Sequence, residues 1–182
     1  MIYAKTSSPL PQQNRYAPRF EYMFVFSKGK PKTANIQKEP CKQTGRLKTA
    51  RTIRNVDGSQ RGIKDGYVQK TKSMGNVWTF DIGYMHSTKD KIAFQHPAIF
   101  PEALAERHII SWSNPGDMVF DPFTGSGTTA VMAAKNERNF IGTEIDNTYL
   151  NIAKQRIENY LAAADNADGF LFTVNKENYE ED

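Results

Sequence analysis

Cysteines, long apolar runs and metal-binding histidine patterns are scarce or missing in this chain of 182 residues. It has one cysteine, Cys41, so it cannot form an internal disulfide or a cysteine-rich zinc site. No apolar run approaches the roughly 20 residues that a membrane-spanning helix needs, and no apolar secretion signal follows Met1. The three histidines show no metal-ligand spacing. These absences predict a cytoplasmic protein in a reducing compartment, with no metal site and no membrane partner.

Positive charge is concentrated in one stretch. The net charge is only +4, but residues 28–72 hold 13 Lys and Arg against three acids, so the rest of the chain is mildly acidic. A basic block on an acidic body is typical of a surface that binds a polyanion, and the alternative is a solvated, partly disordered insert. Tyr67 is the only aromatic residue of the block, so stacking on single-stranded bases is not indicated.

The first half of the chain is weakly patterned and the second half strongly patterned. Residues 20–26 are aromatic and β-branched, which predicts a strand, and a short strand is predicted at residues 77–80. Residues 32–75 show no sustained helical or strand period. From Pro101 onward the elements alternate, which calls for a parallel sheet with right-handed crossovers and predicts an α/β fold. The predicted elements are a helix through Trp112, a strand at 118–120, a helix at 128–137, a strand at 139–144, a long helix capped by Asp146, and a strand at 168–174.

A glycine loop lies between the predicted strand and helix of the second half. Gly125, Gly127 and Ala130 follow the spacing G-x-G-x-x-A, and Glu144 ends the next strand 17 residues beyond Gly127. The glycines let a ligand approach the main chain at a helix start, and an acid at a strand end can accept bonds from both hydroxyls of a ribose. This combination predicts a nucleotide-like ligand, and a plain tight turn is the alternative.

Two ligand classes fit such a loop. A nicotinamide or flavin nucleotide would put its pyrophosphate on the helix start, whereas S-adenosyl-L-methionine brings an ammonium group that needs a carboxylate. Asp121 stands just before the glycines and would repel a pyrophosphate at close range, so it favours the methyl donor. A dehydrogenase also needs a substrate domain, and only about 18 residues follow the last predicted helix.

Residues 121–129, DPFTGSGTT, closely resemble the donor-binding motif of DNA amino-methyltransferases, which methylate N6 of adenine or N4 of cytosine. Residues 96–104, HPAIFPEAL, resemble the second donor-site segment of that family. Residues 140–146, FIGTEID, with Tyr149, Ala153 and Arg156, are similar to its ribose-binding strand and following helix. Residues 20–30 resemble the strand before the target-recognition insert of the circularly permuted subgroup, in which the donor half comes last. The resemblance covers about 100 of the 182 residues.

The resemblance implies a partial Rossmann-like sheet that binds S-adenosyl-L-methionine. Asp121 would hold the amino group of the donor, Gly125 and Gly127 would shape the loop, and Glu144 would take the ribose. Phe123 and the segment around Phe100 would line the methionine end. The full set of implied cofactor contacts is His96, Pro97, Phe100, Asp121, Phe123, Gly125, Ser126, Gly127 and Glu144.

The resemblance also makes the basic block a target-recognition insert for double-stranded DNA. The implied domains are the end of the catalytic half (residues 1–31), the insert (32–91), the donor-binding unit (92–165) and an acidic C-terminal segment (166–182). Two chains could face each other on DNA as a homodimer. The residues expected to contact DNA are Lys42, Arg46, Lys48, Arg51, Arg54 and Arg61.

One family motif is missing. The catalytic tetrapeptide of the family is Asp, Asn or Ser, then Pro-Pro, then an aromatic residue, and it holds the amine and stacks on the flipped base. No two prolines are adjacent in this sequence, so no catalytic residue can be assigned and an N-terminal truncation is expected. The prolines are Pro9, Pro11, Pro18, Pro31, Pro40, Pro97, Pro101, Pro115 and Pro122.

Three functions stay open from the sequence. The chain could be the donor-binding and recognition part of a DNA amino-methyltransferase, with the catalytic half lost or supplied by a separate chain. It could be a non-catalytic DNA-binding remnant, or, third, a nicotinamide-dependent oxidoreductase. The sequence does not indicate the target base, the recognised site or a restriction partner.

Overall fold

The structure is a computed structural model that describes residues 1–6, 14, 16–48, 51–63 and 66–163. No helix within these ranges is long and apolar enough to cross a membrane. The predicted strand at 168–174 and the predicted acidic segment at 166–182 lie outside the described residues. The strands are β1 (Ile2–Lys5), β2 (Phe20–Tyr22), β3 (Lys38–Pro40), β4 (Leu47–Lys48), β5 (Arg51–Arg54), β6 (Gln60–Ile63), β7 (Gly66–Tyr67), β8 (Thr71–Ser73), β9 (Val77–Phe80), β10 (Met118–Asp121) and β11 (Asn139–Gly142). The helices are a 3₁₀ helix (Lys91–Gln95), α1 (Glu102–Trp112), α2 (Thr128–Lys135) and α3 (Asn147–Ala163).

A three-stranded sheet holds the beginning of the chain. β1 lies in the middle, antiparallel to β2 and parallel to β9. Tyr3, Trp78 and Phe80 are buried on one face of this sheet and form a small core. The strand predicted at 77–80 is confirmed as β9. The strand predicted at 20–26 is shorter than expected, because its backbone pairing ends at Met23, which exchanges hydrogen bonds of 2.8 and 2.9 Å with Met1.

The described residues between 38 and 73 form a two-stranded antiparallel ribbon, called here the basic ribbon. Three nested pairs build it, β3 with β8, β4 with β7 and β5 with β6, and its tip lies at residues 55–59. No described side chain of the ribbon is buried. The range 32–75, in which the sequence shows no sustained helical or strand period, therefore contains six short strands among its described residues. A strand pair without a buried face has no apolar alternation, so the sequence pattern that reveals most strands is missing here.

The α/β unit, residues 102–163, contains a two-stranded parallel sheet. β10 and β11 pair in parallel from Met118 opposite Asn139 to Asp121 opposite Gly142, and α2 forms the crossover between them. The predicted α/β class is confirmed, and the predicted helices and strands of this unit occur within a few residues of their expected bounds. Asp146 caps α3 as predicted, because its Oδ1 accepts the backbone N–H groups of Thr148 and Tyr149 at 2.7 and 3.2 Å.

Helix α1 connects the two regions. Its Leu104 packs against the core of the first sheet, while Ala105 and Ile109 pack against α2 in the main core. Full burial of a large apolar side chain such as Ile109 stabilises the fold by roughly 1.5–3 kcal/mol. On the opposite side the Arg107 guanidinium lies 4.7 Å from the centre of the Phe80 ring. The first sheet and the α/β unit are therefore packed on two faces of the same helix.

The predicted insert at 32–91 combines several of these parts. Its middle is the basic ribbon, whereas β9 near its end belongs to the first sheet. The ribbon base is fixed to α1 by Asn35, whose side-chain Nδ2 donates to the carbonyls of Ile110 and Ser113, each at 3.1 Å. These are terminal carbonyls of the helix, which need partners from outside it. The division of the chain into four domains stays a prediction.

Candidate functional site

The loop from Pro122 to Gly127 joins the end of β10 to the start of α2. Two hydrogen bonds to the segment after β11 fix its position, since Thr143 N–H donates to the Asp121 carbonyl at 3.1 Å and Thr124 N–H donates to the Thr143 carbonyl at 2.9 Å. The loop therefore lies at the carboxyl end of the parallel sheet. Ligands of open α/β sheets bind at that end, beyond the strands.

The two loop glycines allow two close approaches. A Cβ on Gly125 would lie 3.2 Å from Nε2 of His96, so the bare backbone faces the imidazole. Gly127 begins α2 with φ of +79°, and a Cβ there would lie 2.8 Å from Cβ of Ala153 on α3. Gly125 therefore lets the His96 ring approach the loop backbone, while Gly127 lets α2 and α3 pack closely.

Two carboxylates flank the loop. Asp121, half-buried at the end of β10, accepts the Phe123 N–H at 3.0 Å through Oδ1. Glu144 accepts the Gly125 N–H at 2.7 Å through Oε2 and the Asp146 N–H at 3.0 Å through Oε1. An ionised carboxylate has about four acceptor positions, so both groups can accept further hydrogen bonds. The same bonds hold the loop in place before any ligand arrives.

His96 closes one side of the loop. Its Nδ1 accepts the Ala98 N–H at 3.1 Å, which puts the ring proton on Nε2, the nitrogen nearest Gly125. The ring also packs edge-on against Tyr149 of α3, with centres 4.2 Å apart. Phe123 in the loop and Ile145, which follows Glu144, are apolar side chains that are 85% and 99% exposed.

A buried ion network supports the loop from behind. The Arg156 side chain on α3 is fully buried, and its Nη1 donates to the carbonyl of Ser126 at 2.7 Å. Its Nε donates to Asp90 at 2.8 Å and its Nη2 to Glu102 at 2.9 Å. The guanidinium thus ties the loop to α1 and to the residue before the 3₁₀ helix. Burial of such a charge is tolerated only with paired and bonded partners, which it has here.

The structure brings some of the predicted cofactor residues together. His96, Asp121, Phe123, Gly125, Gly127 and Glu144 all belong to the loop or touch it. The Ser126 side chain is buried against Arg156, so only its backbone could meet a ligand. Pro97 is exposed, and Phe100 lies in a different place, an apolar groove beside α1 and β10 that also contains Trp112.

The contacts of Asp90 and Glu102 with Arg156 and the exposure of Ile145 were not predicted from the sequence. One signal pointed to the buried network. Arg156 falls between Ile152, Ala153 and Ile157 on the buried face of α3, where a charged residue needs partners. Its partners are 66 and 54 residues away in sequence, so they could not be identified without the fold.

The residues predicted to contact DNA all belong to the basic ribbon. Lys42 lies in the turn after β3, and Arg46 donates to Gln43 at 3.0 Å in the same turn. Lys48, Arg54 and Arg61 are exposed on the strands. Arg51 belongs to β5, but its side chain lies outside the described part of the structure.

Comparison with known proteins gives consistent results. A model of the DNA methylase family, covering N6 and N4 methyltransferases, matches residues 1–155. The orphan methyltransferase M.BamHII of Bacillus amyloliquefaciens is 52% identical over 164 residues, which are 88% of this chain and 62% of that protein. The DNA adenine methyltransferase YhdJ of Escherichia coli (strain K12) is 42% identical over 108 residues, which are 56% of this chain and 35% of that protein. The chain therefore spans less than two thirds of the length of these relatives.

Among solved structures, a putative DNA modification methylase from Thermus thermophilus, crystallised with S-adenosyl-L-methionine, aligns with 53% of this chain and 32% of its own. The identity is 31% and the TM-score 0.39. The resemblance predicted from residues 20–30, 96–104, 121–129 and 140–146 is confirmed by the family match. Because that match covers residues 1–155 of 182, the chain belongs to the N6/N4 DNA methylase family.

Proposed function

We propose that this chain is the donor-binding and DNA-recognition part of a DNA methyltransferase that uses S-adenosyl-L-methionine and modifies the exocyclic amine of adenine or cytosine. The observation that carries the proposal is the pair of carboxylates, Asp121 and Glu144, held on either side of a glycine loop at the carboxyl end of parallel strands. Because the chain belongs to a DNA methylase family, the oxidoreductase function is not proposed.

The residues around the glycine loop fit the chemical groups of the cofactor. Asp121 has free acceptor positions for an ammonium group, and the N–H groups that begin α2 suit a carboxylate. Glu144 can accept ribose hydroxyls while it keeps its bond to Gly125. Phe123 and Ile145 offer apolar surface to an adenine ring. When bound, the cofactor would supply an electrophilic methyl group on a sulfonium.

The residues around the loop bind and orient, and none of them activates an amine. The lone pair of an exocyclic amine is conjugated with its ring, so an enzyme must accept the amine hydrogens and align the nitrogen with the methyl group. Such alignment can lower a barrier by roughly 7–11 kcal/mol. The tetrapeptide that provides these acceptors in the family does not occur in this sequence. We therefore infer that methyl transfer needs polypeptide that this sequence does not contain.

The surface of the α/β unit supports that inference. Within the described residues β10 pairs only with β11, and its Met118 and Phe120 are exposed although parallel sheets are normally covered on both faces. Beside β10 an apolar groove of about 460 Å³ contains Trp112, whose buried indole N–H has no partner among the described residues. We propose that the part carrying the catalytic tetrapeptide docks here, on the same chain or as a separate one.

The basic ribbon supports DNA as the partner. It presents exposed Lys and Arg on a structure without a core of its own, and about 0.9 counterions are released for each phosphate that such charges neutralise. We expect binding to duplex DNA that weakens steeply with salt. A protein that acts on DNA must share a compartment with it. A DNA substrate is therefore compatible with the reducing cytoplasm that the sequence predicts.

Donor binding tests the proposal directly. The substitution Asp121→Asn removes the charge at the ammonium position and should weaken S-adenosyl-L-methionine binding roughly 10- to 150-fold, as the loss of one charged hydrogen bond would. Isothermal titration calorimetry measures this. Asp117→Asn, at the other end of the same strand, is the matched control and should bind normally. Equal affinity of the Asp121→Asn and parent chains would contradict the proposal, as would tighter binding of NAD than of the methyl donor.

A methyl-transfer assay tests whether the catalytic groups lie on polypeptide outside this sequence. With labelled donor and mixed-sequence DNA, the chain alone should transfer no label, and addition of a polypeptide with the catalytic tetrapeptide should restore transfer. Label on DNA from the chain alone would overturn the inference that catalytic groups are missing. Donor and DNA binding without transfer, even with that polypeptide, would favour the non-catalytic remnant.

A further inference from the structure

We propose that one face of the basic ribbon, the face that carries Arg54 and Gln60, reads base edges in the major groove of duplex DNA, while the opposite face contributes charge only. The inference rests on the proposed function, since it names the residues by which the DNA partner is recognised. It would make Arg54 and Gln60 specificity-determining residues and leave Arg61, although equally basic, without that function.

The pairing register separates the two faces. Arg54 lies opposite Gln60 and Thr52 opposite Gly62, so these four residues share one face of the β5–β6 pair. Ile53 lies opposite Arg61 on the other face. All six residues are exposed. Arg54 and Arg61 are therefore two arginines of equal charge, near the same tip, that project in opposite directions.

The chemistry of the first face matches base edges. An arginine fork bonds O6 and N7 of guanine, and a glutamine amide bonds N6 and N7 of adenine. Residues directly opposite in a ribbon have Cβ atoms about 4.5–5.5 Å apart, so Arg54 and Gln60 can reach neighbouring base pairs. Thr52 adds a hydroxyl, and Gly62 has no side chain to hold the ribbon away from the groove floor. The other face combines Arg61 with apolar Ile53.

The tip is built to hold this pair in register. Next to Arg54, the Asn55 N–H donates to the Ser59 carbonyl at 2.8 Å, and the Asn55 side chain donates to the Ser59 hydroxyl at 2.9 Å. Asp57 accepts the Ser59 hydroxyl at 2.6 Å and the Ser59 N–H at 2.9 Å, and these two bonds lower the pKa of the Asp57 carboxyl. The tip turn is therefore ordered before it meets DNA, and a major groove about 12 Å wide admits a two-stranded ribbon.

The base of the ribbon has a different charge pattern. Lys72 forms an ion pair with Glu39 at 2.8 Å across β3 and β8, and that hydrogen bond raises the pKa of the Lys72 ammonium. Asn35 and Gln37 then fix the ribbon base to α1, through the carbonyls of Ile110 and Arg107. Arg54 and Arg61 near the tip form no ion pair with any described residue. The anchored base relates the position of the tip on DNA to the position of the glycine loop.

Selection of duplexes from a random-sequence pool by the full chain tests the inference. The parent chain should enrich a sequence with a guanine beside an adenine. Arg54→Ala and Arg54→Lys should each reduce the preference for guanine roughly 5- to 150-fold, because lysine keeps the charge but lacks the fork. Gln60→Ala should relax the adenine position alone.

Arg61→Ala is the matched control, because it removes the same side chain from the opposite face. It should keep the selected sequence, weaken binding to every duplex alike, and reduce the salt slope by about 1.

Loss of the sequence preference in Arg61→Ala with retention in Arg54→Ala would overturn the inference. So would binding of the parent chain that is salt-dependent but blind to sequence, an outcome that leaves the proposed function standing. Failure to bind any duplex would reject DNA as the partner altogether. Circular dichroism of these exposed variants should match that of the parent.

Discussion

The basic ribbon and the α/β unit are both regular, yet different forces hold them. The α/β unit buries side chains such as Met132 and Ile157 in a continuous core and encloses a charged side chain, Arg156. The ribbon has backbone pairing, turns and one surface ion pair, but no buried described side chain. A substitution of one kind should therefore cost far more at a packed position than at an open one. Four pairs of variants compare such positions, from the largest expected effect to the smallest.

Arg156→Met should be the most damaging change. It leaves Asp90, Glu102 and the Ser126 carbonyl without their buried donor, and breaking a buried pair costs about 3–5 kcal/mol. Because both acids are partly exposed, we expect the lower end, about 3 kcal/mol in the free energy of unfolding by urea. Arg61→Met makes the same replacement on the ribbon and should cost less than about 0.5 kcal/mol. Similar costs at both positions would show that the network does not stabilise the fold.

Gly127→Ala should destabilise the fold about as much as Arg156→Met. The left-handed backbone costs about 1–2 kcal/mol with a side chain, and the contact with Ala153 adds about 1–3 kcal/mol of overpacking. Gly116→Ala separates the two causes, because Gly116 has φ of +84° and no atom near its missing Cβ. It should cost only the backbone part. Thermal unfolding of the two variants measures the difference, and equal costs would mean that α2 and α3 can move apart freely.

Asn35→Ala tests the junction between the two regions. It removes side-chain hydrogen bonds to the Ile110 and Ser113 carbonyls, each worth about 0.5–1.5 kcal/mol net, so we expect a loss of about 1–2 kcal/mol. Asn55→Ala, at the ribbon tip, should change global stability by less than about 0.5 kcal/mol. If Asn35→Ala were as mild as Asn55→Ala in urea unfolding, the ribbon base would not be coupled to α1.

The pH dependence of stability should show the smallest effect. His108 packs against Trp78, with ring centres 4.8 Å apart, and burial lowers the pKa of its imidazole below the usual 6.5. Below about pH 6.5 the unfolded chain therefore binds a proton that the folded chain resists, and stability falls as pH decreases. The binding of one such proton changes the free energy of unfolding by at most about 1.4 kcal/mol per pH unit, and by less at a half-buried site.

His108→Gln should flatten this slope between about pH 7 and 5. His86→Gln, which replaces an exposed histidine, should keep the slope of the parent. Urea unfolding at several pH values measures both. An unchanged slope in His108→Gln would assign the acid sensitivity to other groups.

The same contrast explains what could be predicted from sequence. In the α/β unit, burial imposes helical spacing on Leu104, Ala105 and Ile109, and local signals such as Asp146 mark the helix starts, so element types and most bounds followed from the chain alone. In the ribbon, partners such as Lys38 and Ser73 lie far apart in sequence and neither is buried, so no local pattern indicated the pairing.

Some features of the candidate site could likewise be predicted from local sequence and others could not. The glycine loop and both flanking acids were predicted because each lies next to a strand or helix end with its own sequence signature. The hydrogen bond from Gly125 to Glu144 was not predicted, and neither was the contact of His96 with Tyr149. Each of these depends on how separate elements pack, which the sequence determines only through the whole fold. The inward orientation of the Ser126 side chain is a further example.

The guanidinium behind the glycine loop also sets an order of events during synthesis. Arg156 follows Ser126 by 30 residues and Asp90 by 66, so all its partners leave the ribosome first. A nascent chain that ends before α3 can form β10, α2 and β11 but carries a loop with nothing to secure its Ser126 carbonyl. The proposed binding surface for the methyl donor therefore matures last, when translation has passed the end of nearly every other element of the unit.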